Sequence, residues 1–232
     1  MQAQQHQQPL QPANKQKQTP TLAEEMALFD QGYSFVAGLD EAGRGCLAGP
    51  VVAAAVILPL TEGTETLMTR FAGVNDSKQL TMPTRERLYD VIMQHAIAVG
   101  VGIGSVELID ERNILQATKQ AMRFALAQLA PTPHALLLDA LLLPDIPLPQ
   151  RSIIKGDTRC LSIAAASIIA KVTRDRLMLQ LHEHYPVYGF DHHKGYGTPA
   201  HLEALHTHGV TPHHRKTFSP VSELLYGLFA EH

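Results

Sequence analysis

A stretch of small and apolar residues late in the chain is the strongest constraint on how this protein can fold. Residues 163–170 read Ile-Ala-Ala-Ala-Ser-Ile-Ile-Ala, and the pattern that continues after them predicts one long helix over residues 162–184. A helix that is apolar on every side must be buried, and its alanines permit a close approach to a sheet. The segment therefore predicts a layered α/β domain in which this helix packs directly on a β-sheet.

Several segments have the pattern of strands that could form this sheet. The predicted strands are residues 34–39, 51–58, 96–101 with an extension to about 105, 135–138 and 152–154. Helical spacing marks residues 83–95, with Leu88, Val91 and Ile92 as the apolar stripe, and residues 106–129 as one or two helices. This order predicts a single mixed β-sheet with helices on both faces, followed from about residue 186 by loops and short helices.

The first 20 residues differ from the rest of the chain, since they contain eight Gln and almost no large apolar residue. Such a segment buries too little surface to offset the entropy lost on ordering it, so we expect residues 1–20 to be a disordered tail. A passive tail is favoured over a partner-binding arm. The folded domain is predicted to span residues 33–222.

The sequence shows no membrane or secretory signal. No apolar run approaches the roughly 20 residues that span a bilayer, and the N-terminus lacks the charged-then-apolar pattern of a signal peptide. Cys46 and Cys160 are too far apart to indicate a disulfide framework or a zinc site. We therefore expect a cytoplasmic protein.

Positive charge is concentrated in the C-terminal third. The net charge is −3, but residues 151–220 hold nine Lys and Arg against five Asp and Glu, together with nine of the 13 His. This region is a candidate for contact with phosphates, with scattered solvated charges as the alternative. The doublets His192-His193 and His213-His214 are predicted to lie at the surface or to contact phosphate, because neighbouring side chains point in different directions and suit a shared metal poorly.

Carboxylates follow three of the predicted strands: Asp40 and Glu41 after the first, Asp139 after the fourth and Asp157 just after the fifth. If these strands are neighbours, four carboxylates converge and repel one another unless a cation stabilises them. An all-oxygen ligand set favours Mg²⁺ or Mn²⁺, and two such ions suit an in-line attack on phosphorus. Two structural alternatives stay open, in which Asp139 caps a turn and Asp157 caps the long helix.

The turn that follows the first carboxylates has the opposite charge preference. Arg44 and the bare backbone amides of Gly43 and Gly45 attract a phosphate or a hydroxyl group. Beside Asp40 and Glu41, this turn indicates a site that holds a metal ion and a phosphodiester together. The chain contains no Gly-x-x-x-x-Gly-Lys-Ser/Thr loop, which disfavours a nucleotide-hydrolysing P-loop enzyme.

Several blocks of the sequence resemble those of the bacterial type 2 ribonucleases H, the ribonuclease HII family. The opening block, Gly-Leu-Asp-Glu-Ala-Gly-Arg-Gly, is followed one residue later by Leu-Ala-Gly-Pro-Val-Val. The further blocks are residues 75–80, 155–157, 163–175, 193–198 and 214–221. They run in the family's order between about residues 33 and 222. The resemblance implies an α/β ribonuclease H-like fold, a mixed β-sheet flanked by helices with a C-terminal helical region.

The resemblance also implies an activity. The family hydrolyses, with Mg²⁺ or Mn²⁺, the RNA strand of RNA/DNA hybrids. It also cuts on the 5′ side of single ribonucleotides in duplex DNA, as in ribonucleotide excision repair, and leaves 3′-hydroxyl and 5′-phosphate ends. We accordingly expect nucleic acid as the partner, no membrane, and a monomer.

Each functional position of the family has a counterpart in this chain. The acidic quartet, which is catalytic and binds two divalent ions, is carried over to Asp40, Glu41, Asp139 and Asp157. The reader of the ribose 2′-hydroxyl is carried over to Gly43, Arg44 and Gly45. The junction-sensing tyrosine falls on Tyr196, and the serine and lysine beside the substrate phosphates fall on Ser77 and Lys78. Two small departures are Cys46, where many relatives carry Pro, and Thr217, where Ser is frequent.

Other nucleases and a non-enzyme are the competing interpretations. A junction resolvase or a type 1 ribonuclease H would share the fold, but the Gly43-Arg44-Gly45 turn together with Tyr196 argues against both. Ribonuclease HIII is nearer, but its extra N-terminal substrate-binding domain would not fit in the 20 to 30 Gln-rich residues present here. A non-catalytic hybrid-binding protein would be expected to lose a carboxylate, whereas all four are present.

Overall fold

A computed structural model describes residues 19–227, which form five β-strands and nine α-helices. The strands are β1 (Val36–Ala42), β2 (Val51–Ile57), β3 (Ala98–Gly104), β4 (Ala135–Asp139) and β5 (Gln150–Ile153). The helices are α1 (Ala23–Phe29), α2 (Thr64–Arg70), α3 (Met82–His95), α4 (Val106–Arg112), α5 (Ile114–Leu126), α6 (Leu161–His184), α7 (Phe190–His193), α8 (Pro199–His208) and α9 (Val221–Gly227). The predicted tail lies outside the described residues, except for Thr19 and Pro20.

The strands form one mixed sheet in the order β3-β2-β1-β4-β5, which confirms the predicted architecture. β1 pairs antiparallel with β2 and parallel with β4, so it lies in the middle of the sheet. β5 pairs parallel with β4. The ends of β1 and β4 and the turn after β5 therefore come together at one edge of the sheet, where the predicted carboxylates stand.

The long helix α6 is buried against this sheet, as its composition predicts. Every residue from Leu161 to Ala170 is buried. Its first turn approaches β1 so closely that a Cβ atom on Gly38 would lie 2.3 Å from the Ser162 carbonyl carbon. Only glycine permits this distance, which places α6 directly across the carboxylate-bearing strand.

On the opposite face, α5 approaches β3 in the same way. The three glycines of β3 share one face, and a Cβ atom on Gly102 would lie 1.9 Å from the Ala121 carbonyl oxygen. The segment predicted as one or two helices is two, because Asn113 has a φ of 70° and its side chain caps the start of α5. Helices on both faces make the protein a three-layer α/β structure.

The structure departs from the sequence prediction in two places, at the end of β1 and before residue 33. β1 continues to Ala42, so Asp40 and Glu41 lie within the strand rather than after it, because both residues pair with β2. The helix α1 precedes the predicted start at residue 33, and it buries Leu22, Leu28 and Glu25 against the rest of the protein. Helices α7 to α9 confirm the predicted C-terminal helical region. Within residues 19–227, none of the helices combines the length and the apolar character needed to cross a membrane.

Candidate active site

Asp40 is the most deeply buried of the four predicted carboxylates, with 3% of its surface exposed. Its Oδ1 atom accepts a hydrogen bond of 2.7 Å from the Glu41 backbone N–H. Burial, followed by the negative charges of Glu41 and Asp139, raises the pKa of Asp40 well above its usual value. A carboxylate held at such a position is destabilised when ionised and would be stabilised by a nearby cation.

Glu41 follows Asp40 on the strand and faces Arg44. The Arg44 guanidinium donates to Glu41 Oε1 at 3.2 Å. Glu41 Oε2 is buried and has no hydrogen-bond partner among the described residues. Burial raises the pKa of Glu41, although Arg44 opposes this shift. A buried carboxylate oxygen without a partner is suited to ligate a cation.

Asp139 lies at the end of β4 and Asp157 lies just after β5, and a hydrogen bond joins the two segments. Asp139 Oδ1 accepts a 2.8 Å hydrogen bond from the Gly156 N–H, so Asp139 does tie down a turn, in agreement with its structural alternative. Asp157 lies in the short 3₁₀ turn Gly156–Thr158. It does not cap the long helix, because α6 begins later and has Cys160 at its N-cap. Burial raises the pKa of Asp157, with Asp76 and Asp139 adding to the shift.

Lys78 provides the positive charge that this cluster requires in the structure. Its Nζ atom lies 3.6 Å from Asp157 Oδ2, and the side chain is 72% exposed. Burial lowers the pKa of Lys78, but the carboxylates of Asp76, Asp40 and Asp157 outweigh that effect and raise it. An ammonium group paired with Asp157, and stabilised by the charges of the other carboxylates, indicates that the cluster favours a cation.

The donor set fits a divalent ion, but it is not closed around one. Among residues 19–227, no three His, Cys, Asp or Glu side chains stand close enough to hold an ion as they are. The pleat of β1 explains part of this spacing, because successive side chains of a strand point to opposite faces. Oxygen-only ligands and the unpaired Glu41 Oε2 suit Mg²⁺ or Mn²⁺ and leave ligand positions for water and a substrate phosphate.

Two adjoining cavities lie over these residues. A cavity of about 180 Å³ is lined by residues 41–45, Ser77, Lys78, Lys171 and Tyr196. A larger cavity of about 500 Å³ is lined by residues that include Asp139, Asp157 and Lys78. Since Lys78 borders both, the cavity at Glu41 and the glycine-rich turn adjoins the cavity at Asp139 and Asp157, while Asp40 lines neither.

The structure brings the remaining predicted residues to this surface. Ser77 is buried, and its hydroxyl lies 2.9 Å from the Ser167 hydroxyl on α6. Tyr196 is 43% exposed and faces the turn formed by Gly43, Arg44 and Gly45. Burial, together with the neighbouring Cys46 thiol, raises the pKa of Tyr196. The departure at Cys46 therefore borders the predicted junction-sensing residue.

Behind Tyr196 lies a chain of buried histidines that the sequence patterns did not predict. The Thr211 N–H donates to His214 Nδ1 at 3.0 Å, which leaves the proton of His214 on Nε2. His214 Nε2 is 3.0 Å from His201 Nε2, and His201 Nδ1 is 2.9 Å from the Tyr196 carbonyl oxygen. Donors and acceptors therefore alternate along a neutral relay that ends on the backbone of Tyr196.

The predicted surface position is wrong for His214, which is fully buried, whereas His192 is 87% exposed. Burial, followed by the charge of His201, lowers the pKa of His214 to about 3. Two of the nine basic residues in the C-terminal third are also buried, since Arg174 is 1% and Arg215 0% exposed. These residues bind protein backbone, so the charge count overstates the surface available to phosphates. A sequence signal for them did exist, because both lie inside blocks that resemble the family.

Solved structures share this arrangement of sheet and helices. The ribonuclease H2 of Pyrococcus horikoshii OT3 matches with a TM-score of 0.68 and 29% identity, covering 84% of this chain and 99% of that one. The ribonuclease HII of Archaeoglobus fulgidus, solved in complex with PCNA, matches with a TM-score of 0.65 and 31% identity, covering 82% and 96%. The fold is therefore that of the type 2 ribonucleases H, which places the protein in the ribonuclease H class of nucleases.

Sequence comparison narrows this class to one family. The family model described as Ribonuclease HII matches residues 37–221. A ribonuclease HII of Bacillus cereus is 57% identical over 201 residues, which cover 87% of this chain and 75% of the relative. The chain belongs to the ribonuclease HII family. It is accordingly an endoribonuclease that cleaves the RNA strand of RNA/DNA hybrids with the help of a divalent metal ion.

Proposed function

We propose that the protein also cuts duplex DNA on the 5′ side of a single embedded ribonucleotide, leaving 3′-hydroxyl and 5′-phosphate ends. One observation carries this proposal. Glu41, the Gly43-Arg44-Gly45 turn and Tyr196 line the same cavity, which adjoins the cavity over Asp139 and Asp157. A single bound nucleotide would therefore meet a reader of its sugar and the cleavage centre at once.

The proposed metal ligands are Asp40, Glu41, Asp139 and Asp157. When two Mg²⁺ or Mn²⁺ ions are bound there, they would lower the pKa of the attacking water and stabilise the leaving oxygen on phosphorus. The raised pKa values of Asp40, Glu41 and Asp157 support this assignment, because burial and neighbouring carboxylates destabilise their ionised forms, which a bound cation would stabilise. Lys78 would move from Asp157 to a substrate phosphate as the ions bind, which its exposed side chain permits.

Sugar recognition falls to the glycine-rich turn. The 2′-hydroxyl is the group that distinguishes RNA from DNA at one nucleotide. Backbone amides at Gly43 and Gly45 can approach a sugar hydroxyl that larger side chains would exclude. Arg44 lies over the same cavity and contacts Glu41. The turn would thereby place the 2′-hydroxyl next to a metal ligand.

Tyr196 would favour a deoxynucleotide after the ribonucleotide. Its exposed ring faces the cavity and could pack on a sugar that lacks a 2′-hydroxyl. Ser77 and Lys78 would lie beside the substrate phosphates, at the cavity that both residues line. Action as a monomer, a role in ribonucleotide excision repair and a cytoplasmic location stay predictions.

The experiment compares three labelled duplexes: DNA with one ribonucleotide, a long RNA/DNA hybrid and DNA alone. Each is incubated with Mg²⁺, with Mn²⁺ or with EDTA, and the product ends are identified by their mobility and by ligation. We expect one incision on the 5′ side of the ribonucleotide, dependent on the ion, and no cleavage of DNA alone.

Two matched variants test the site. Asp40→Asn should abolish cleavage, whereas Asp145→Asn removes a carboxylate that is paired with Arg123 on the surface, outside either cavity, and should not. Cleavage of the hybrid without incision at the single ribonucleotide would refute the proposed substrate. Substantial activity of Asp40→Asn at saturating Mg²⁺ would remove Asp40 from the ligand set.

A further inference from the structure

Arg174 lies beneath the glycine-rich turn and reaches two of the loops that form the site. Its Nε donates to the Pro50 carbonyl at 2.9 Å and its NH2 nitrogen to the Ala48 carbonyl at 3.0 Å. Its NH1 nitrogen donates at 2.8 Å to the carbonyl of Lys194, two residues before Tyr196. One buried guanidinium thus connects the segment after the turn to the tyrosine loop.

Arg215 holds the turn itself. It donates to the Gly43 carbonyl at 2.7 Å, to the Arg44 carbonyl at 2.8 Å, and to the Gly49 carbonyl at 2.9 and 3.0 Å. Its burial lowers the pKa of the guanidinium only to about 10, so Arg215 stays charged at neutral pH. Within the described part of the chain, no carboxylate forms a salt bridge with either arginine.

Backbone contacts complete the connection between the loops. The Leu47 N–H donates to the Gly195 carbonyl at 2.8 Å, and the Arg215 N–H donates to the Leu47 carbonyl at 2.8 Å. Gly43 has a φ of +94°, and a Cβ atom there would lie 1.9 Å from Arg174 Nε. The turn is therefore seated directly on the Arg174 side chain and has little freedom to shift.

Burying the two guanidinium groups has a physical cost, and the hydrogen bonds that offset this cost favour a positioning role. Burying a charge without an opposite charge is unfavourable unless hydrogen bonds satisfy it. Here the rigid Arg174 guanidinium is satisfied by carbonyls of two loops, and the Arg215 guanidinium by three carbonyls of the glycine-rich loop, which fixes the relative positions of those carbonyls. A lysine would keep the charge but could not bridge the same carbonyls, because its ammonium is a single point donor.

We propose that Arg174 and Arg215 are positioning residues that set the distance between the 2′-hydroxyl reader and Tyr196, and thereby the specificity for a single ribonucleotide. The inference rests on the proposed function. A lone ribonucleotide offers one productive register, so the turn and Tyr196 must engage it together. A long hybrid offers many equivalent registers, so a small displacement of one loop is tolerated.

The test measures kcat/KM on the single-ribonucleotide duplex and on the long hybrid for Arg174→Lys and Arg215→Lys. We expect the single-ribonucleotide value to fall roughly 10- to 100-fold, mainly through kcat, because a displacement near 1 Å at a reacting centre has effects of this order. The value on the hybrid should fall less than about 5-fold. The ratio of the two values should therefore change, which a purely structural role would not produce.

Met122→Ala is the matched control for stability. Met122 is fully buried in the layer on the α5 side of the sheet, away from both loops, and its truncation should lower the melting temperature without changing the ratio. Circular dichroism and melting curves accompany every variant.

The possible outcomes separate the two proposals. Failure of the wild type to incise the single-ribonucleotide duplex would refute the proposed function. Wild-type incision with an unchanged ratio in both arginine variants would refute the positioning role alone. If one variant does not fold, the other decides, because each is expected to change the ratio by itself. Unfolding of both at the assay temperature would assign the arginines to global stability and also refute the proposal.

Discussion

Lowering the pH from 7 to 5 should destabilise the protein through His214. This histidine is fully buried, and its Nδ1 atom accepts the hydrogen bond from the Thr211 N–H. A proton on Nδ1 would face that N–H donor, and the adjacent His201 and His193 add no negative charge. Burial therefore keeps His214 neutral in the fold and lowers its pKa to about 3.

The sign and size of the effect follow from this shift. Because the pKa in the fold lies below the unfolded value of 6.5, the unfolded chain binds the proton more readily over the interval between them. The contribution of neutral His214 to the free energy of unfolding is fully present above pH 6.5 and is lost as the pH falls. A pH of 5 lies about 1.5 units below the pKa of the unfolded histidine. At ~1.4 kcal/mol per unit, the free energy of unfolding falls by about 2 kcal/mol. This is a large share of the roughly 5–15 kcal/mol that stabilises a typical domain.

Urea unfolding at pH 7 and pH 5 measures the loss, and His214→Asn isolates it. Asparagine keeps an acceptor for the Thr211 N–H but does not titrate. The variant is expected to be less stable at pH 7, yet to lose about 2 kcal/mol less than the wild type between the two pH values. Equal losses in the two proteins would show that His214 is protonated in the fold and would refute the neutral relay.

Three further predictions follow from individual side chains. Asp40→Asn should raise the free energy of unfolding at pH 7. Burial raises the pKa of Asp40, so its stabilising protonated form is lost as the pH rises. A melting temperature several degrees below that of the wild type would contradict this. Tyr196→Ala should reduce kcat/KM on a single ribonucleotide by about 5- to 150-fold, since stacking is worth roughly 1–3 kcal/mol, and should affect long hybrids less; an unchanged ratio of the two values would leave Tyr196 structural. Glu25→Ala should cost about 2–4 kcal/mol of unfolding free energy in a urea titration. The reason is that Glu25 Oε1 accepts hydrogen bonds from both the N–H and the hydroxyl of Ser162 at the start of α6. The isosteric Glu25→Gln should cost clearly less in the same titration.

The elements and carboxylates of this site could be predicted because their signals are local. The apolar run of α6, the alternation of strands and helices, and the positions of Asp139 and Asp157 follow from periodicity and from residues next to one another in the chain. The glycines of β3 could be assigned to one face for the same reason. Prediction of the substrate needed the family resemblance, since a sugar-reading turn has no periodicity of its own.

The tertiary structure alone decided which polar residues are buried and what they hold. Arg174, Arg215 and His214 look like surface charges in sequence, but each is satisfied by backbone or side-chain groups from a distant segment. Glu25 likewise precedes the predicted domain and caps a helix 137 residues later. A buried polar group is stable only when its partners are present, and those partners are assembled by the fold. Local sequence therefore determined which positions of the chain carry the candidate catalytic residues. Long-range contacts determined how the segments that carry those residues are positioned relative to one another.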